Sequence, residues 1–182
     1  MKDRIDELHR LFVRLRKLDV DPSQLKLALK TVRIGGGAVK TENGRLEFLK
    51  KDAVQGFTEY IGLIPVSLTQ GKFITRLKLE KRHLQQDGFA HAGLIATMAD
   101  HTAGYASYSL VPESQRILTI EYKINYLEPA TGEFLECRAW VLKPGRQILF
   151  TEAEVYSIKG DVETLVAKAL HTMASVSKDK IS

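Results

Sequence analysis

The chain has 182 residues with 44% hydrophobic and 27% charged side chains, the balance of an ordinary globular protein with room for one domain and a modest extension. Its single cysteine, Cys137, excludes an internal disulfide framework, and five scattered histidines with one thiol give no zinc-ligand spacing. The net charge of +5 is local: residues 1–50 carry 12 Lys and Arg against 7 Asp and Glu, and the rest of the chain is balanced. The basic pI therefore says little about the main domain.

The opening stretch predicts an amphipathic helix, with Ile5, Leu8, Leu11, Phe12, Leu15 and Leu18 on one face. Asp21-Pro22 restarts a second, shorter helix through Leu25, Leu29 and Val32, which Gly35-Gly36-Gly37 ends. These features assign residues 1–45 to a basic helical extension and 46–182 to the main domain. The extension lacks the aromatic interleaving of a nucleic-acid or membrane surface, so neither nucleic acid nor a membrane is an expected partner. The amino-terminal residues lack a secretory h-region, and no apolar run reaches the roughly 20 residues of a bilayer span. A cytoplasmic protein is expected.

Residues 53–63 read as a helix that Pro65 ends. The period then becomes strand-like after Gln70-Gly71, with Phe73, Thr75 and Leu77 alternating against Ile74, Arg76 and Lys78. A polar loop, 83–90, leads into one long helix from about Ala92 to Leu110, apolar nearly all round. Four strands follow, 116–126, 133–142, 147–157 and 163–177, each alternating so that one face is buried. Their short connections make them antiparallel. The fold class is α+β: an antiparallel sheet of about six strands curled around a single helix.

The segment His83-Leu-Gln-Gln-Asp-Gly-Phe-Ala-His-Ala-Gly-Leu-Ile-Ala-Thr-Met-Ala-Asp100 carries the chemistry. His91-Ala92-Gly93 lies where a loop enters a helix, where free N–H groups and the positive end of the helix dipole favour a developing oxyanion. Gly93, Thr97, Asp100, Gly104 and Ser107 share one small, polar face, with Tyr105 expected away from it. A carboxylate in an apolar helix is costly without a partner or a purpose. Gln85 and Gln86 supply amides able to hold a carbonyl oxygen or a water.

This segment resembles the PaaI-like acyl-CoA thioesterases of the hotdog superfamily, whose signature is an amide residue, a Gly-containing loop, His-Gly-Gly and Ala-Asp. Gln85, Gly88, His91 and Ala99-Asp100 stand at those places; Ala92 replaces one glycine and Gln85 the commoner asparagine. The likeness spans residues 50–177 and includes the strand from Thr119 to Ala130 and Gly145-Arg146. It implies hydrolysis of an acyl-CoA thioester with no metal or redox cofactor. Asp100 acts as general base on water or as nucleophile, the Ala92 and Gly93 N–H groups hold the oxyanion, and Gln85 orients thioester or water. His91 shapes the loop, Thr119 bonds near the water, and Gly88 and Arg146 contact substrate, Arg146 at the anionic end of CoA. The site forms between protomers of a homodimer or homotetramer. The competing readings are a non-catalytic acyl-CoA sensor and an enoyl-CoA hydratase.

Overall fold

The computed structural model describes residues 42–181. The two basic helices expected before residue 34 lie outside the described residues. Helix α1, Glu42–Asp52, starts inside the stretch that composition assigned to the extension. It packs by Leu49, with Ala53 just beyond its end, both wholly buried, while Arg45 donates to the carbonyl of Tyr108 at 3.0 Å.

The helix expected over 53–63 is reduced to one turn, α2, Phe57–Tyr60. Gly56 (φ 57°) and Gly62 (φ 75°) bracket it in the left-handed region, which stops helix propagation on both sides. Pro65 is not a helix terminator: it lies within strand β1, Leu63–Thr69. That strand is an edge, where the missing N–H costs no ladder bond, and the register slips between Pro65 and Ser67.

Strand β2, Lys72–Lys78, buries Phe73, Thr75 and Leu77 as the alternation requires. Helix α3 is Ala92–Tyr108, and strands β3, Gln115–Tyr126, β4, Phe134–Lys143, β5, Ile148–Lys159, and β6, Val162–Ser177, follow. All six strands form one antiparallel sheet in the order β1-β2-β4-β5-β6-β3. Helix α3 connects β2 on one side to β3 at the far edge, so it must cross the sheet, and it contacts every strand.

Two expectations change here. First, α3 is not apolar all round. It buries Leu94, Ile95, Met98, Ala99, Thr102 and Ala103, while Gly93 is exposed and Thr97, Asp100, His101, Gly104 and Tyr105 are half-buried. Only one stripe is buried, and the opposite stripe is left open. Ser107, expected on the open polar face, is buried with its hydroxyl on the carbonyl of Ala103 at 3.0 Å.

Second, β3 does not bury one face. Leu118, Ile120, Tyr122 and Tyr126 are each about half exposed on this twelve-residue edge strand. A bulge explains part of this: Thr119 pairs with Met173 and Glu121 with Thr172, leaving Ile120 as the extra residue. Alternation reverses across such a bulge, so Thr119 and Tyr122 point to the same side. Cys137 is wholly buried, and burial pushes its thiol up to about 12. No helix among the described residues is long and apolar enough to cross a membrane.

Candidate active site

The loop before α3 is fixed by its own backbone. The N–H of Gln85 donates to Phe89 O at 2.8 Å, and the N–H of Gly88 returns to Gln85 O at 3.1 Å, with Gly88 at φ 83°. Leu84 bridges Ala90, and the N–H of His91 donates to His83 O at 2.8 Å. This delivers His91 to the N-cap of α3 in extended conformation, where its Nδ1 accepts from the N–H of Gly93 at 2.9 Å. The loop-shaping histidine is therefore a cap, and the Gly93 donor is engaged by it. Ala92 opens the helix, where an N–H has no intrahelical acceptor. The hydroxyl of Tyr126 donates to Ala92 O at 3.1 Å, joining β3 to the helix start.

Two turns along α3, Asp100 accepts at Oδ1 from the hydroxyl of Thr119 at 2.7 Å. Its sequence neighbour His101 is not its partner: His101 Nε2 donates to Ala53 O at 2.8 Å. Burial holds the His101 imidazole below its usual range, outweighing that bond and the charges of Asp100 and Asp52, so the ring is neutral near pH 7. The bulge in β3 sets Tyr122 beside Thr119, and both border cavities that Asp100 borders.

Tyr105 is a correction. Expected away from the polar face, it lines both of those cavities and donates its hydroxyl to Asp52 Oδ2 at 2.8 Å. Burial, followed by that bond, raises its pKa, so it stays a phenol. Its length carries its tip around the helix to α1, which sequence reasoning had not placed there. The signal was present: a tyrosine among small helix residues needs a partner for its O–H.

The residues expected to act together divide between cavities. Asp100, Gly93, Thr97, Tyr105 and Tyr122 border one of about 690 Å³. Gln85 and Ala92 border another, of about 290 Å³, with Phe89, Ile95 and Tyr126. Gln86 instead reaches Asp87 Oδ2 at 3.4 Å. Arg146 is exposed between β4 and β5 and borders neither. Among the described residues no group of three or more His, Cys, Asp or Glu is placed to hold a metal ion.

Residues 87–164 match the model of the thioesterase superfamily. The human acyl-coenzyme A thioesterase 13 is 30% identical over 120 residues, which are 65% of this chain and 84% of that protein. A solved thioesterase family protein from Silicibacter pomeroyi is 31% identical, with a TM-score of 0.70 over 75% of this chain and 99% of its own. The chain belongs to the thioesterase superfamily. It is a thioester hydrolase with the hotdog fold, and the PaaI-like resemblance holds. A putative esterase from Caenorhabditis elegans is 32% identical over 111 residues, and this chain spans 64% of that protein's length.

Proposed function

We propose that the chain hydrolyses an acyl-CoA thioester to the free acid and CoA, with Asp100 as the group that activates water. The observation that carries this is the 2.7 Å bond from Thr119 to Asp100 Oδ1 on the open face of α3. One carboxylate oxygen is thereby fixed, and Oδ2 is left to take a proton from water as it attacks the thioester carbonyl. The electron pair of the broken C–S bond leaves with CoA, and the proton held by Asp100 passes to the departing thiolate. Attack by Asp100 itself, giving an anhydride that water opens, uses the same geometry.

The oxyanion half consists of the Ala92 N–H, the positive end of α3 and the Gln85 amide. The Gly93 N–H joins it when the His91 imidazole swings off, a side-chain rotation at an exposed position. Gln85 and Ala92 border a different cavity of the protomer from Asp100, which favours a site completed by a second copy. The outer edge of β3, unpaired among the described residues and with Leu118 and Ile120 half-exposed, is the strand on which two copies can pair, as dimer or within a tetramer. Gly88 then shapes the loop that meets substrate. Arg146 serves the phosphates of CoA from the β4–β5 hairpin.

Release of free CoA thiol from an acyl-CoA panel tests this. Asp100→Asn is isosteric and removes the base, so kcat should fall by about 10²-fold or more. Turnover within threefold of wild type overturns the assignment.

A further inference from the structure

Beyond Asp100 the open face of α3 ends against α1. His101 is tied to Ala53 O and Tyr105 to Asp52 Oδ2, both at 2.8 Å, and the two rings contact with centroids 4.9 Å apart. Asp52 Oδ1 also accepts from Gln55 Nε2 at 3.1 Å. Leu49 and Ala53, on either side of Asp52, are wholly buried, so this end of α1 is anchored in the core. Asp52, His101 and Tyr105 border both cavities that Asp100 borders. A group seated beside Asp100 therefore meets a fixed polar wall. The Tyr105 proton is already committed to Asp52, so at this end the cavity meets carboxylate lone pairs, whereas Phe57, Ala96 and Tyr122 border it elsewhere.

We infer that the Asp52–Tyr105 pair is the specificity-determining end wall of the acyl site, accepting short acyl groups or those ending in a hydrogen-bond donor. This rests on the reading of Asp100 above and adds the acyl class to it. Each methylene buried against apolar surface strengthens binding by about fourfold. A chain end pressed on a carboxylate forfeits that gain and strips water from a charge. A terminal hydroxyl replaces the lost water with a bond to Asp52.

The test uses the full chain and reads ratios of kcat/KM, which a general loss of folded enzyme leaves unmoved. Wild type should prefer butanoyl-CoA to octanoyl-CoA, and 8-hydroxyoctanoyl-CoA to octanoyl-CoA. In Asp52→Leu the octanoyl-to-butanoyl ratio should rise roughly fifteenfold, about two recovered methylenes, and the hydroxyacyl preference should disappear. If Asp52→Leu does not fold, Tyr105→Phe keeps the ring, frees Asp52 and must still shift both ratios at least twofold. Wild-type ratios favouring the longer alkyl chain, or ratios unchanged in the folded variants, overturn the inference. Asp100→Asn on the same panel separates the two readings. If Asp100→Asn is inactive and the ratios do not move, only the wall is wrong; if Asp100→Asn is active, the base assignment is wrong.

Discussion

Replacing Thr119 with valine removes one hydroxyl and nothing else of comparable size. The lost bond is 2.7 Å long and ends on a carboxylate oxygen, the class of hydrogen bond that contributes about 1.5–3 kcal/mol. If that energy is spent holding Asp100 for attack, kcat/KM should fall roughly 10- to 150-fold. Stability should move little. Thr119 is exposed on an edge strand, valine is an equally good strand former, and surface changes stay within about 0.5 kcal/mol. Thr119→Ser keeps the hydroxyl and should keep most of the activity. The assay is CoA thiol release, in which the chain contributes no background because its sole cysteine is buried with a pKa of about 12. Thr119→Val at more than a third of wild-type kcat/KM, with unchanged melting, would refute the claim that this contact orients the base.

Two further measurements address the assembly and the sheet. Mixing inactive Asp100→Asn with inactive Gln85→Ala chains should restore about a quarter of wild-type activity, because half the random dimers carry one site free of both changes; no recovery after exchange places both residues in one protomer's site. On the sheet, Glu136 is 5% exposed and bonded by Arg76 and Arg138. Burial raises its pKa, but the two guanidiniums win and hold it below the usual carboxylate value. Because the folded pKa is depressed, this stabilisation is full above the unfolded value of 4.5 and is lost as pH falls through the folded one. Glu136→Gln should cost about 1–3 kcal/mol at pH 7, with its Tm deficit closing in acid; parallel Tm–pH curves for the two proteins would contradict this.

Much of the architecture was legible because its signals are local. Helix α3 and strands β3 to β6 appear within one or two residues of the boundaries that periodicity, Pro129, Gly145 and Gly160 mark. The strand order was not legible, since it depends on pairing across the chain. Helix α1 was missed because Leu46, Leu49 and Ala53 give a weak stripe interrupted by charges. In β3 the sequence alternates cleanly, with Leu118, Ile120, Tyr122, Ile124 and Tyr126 all at even positions, so it gives no sign of the bulge at Ile120 that turns Tyr122 and Ile124 onto the face of Thr119. Asp100 stood out as a carboxylate on the small polar face of an apolar helix, while its role and Thr119 came from the family likeness. Tyr105 and Asp52 were beyond it, because their contact links two helices 53 residues apart.

The extra residue at Ile120 also determines which genetic changes this enzyme can absorb. Point substitutions along β3 alter one side chain at a time and leave the rest of the face intact. Loss or gain of a single codon between 119 and 122 would instead rotate Thr119 or Tyr122 to the opposite side of the sheet, with neither residue altered. Length in this four-residue interval should therefore be held more strictly than composition, and drift in the family should proceed there by replacement rather than by insertion.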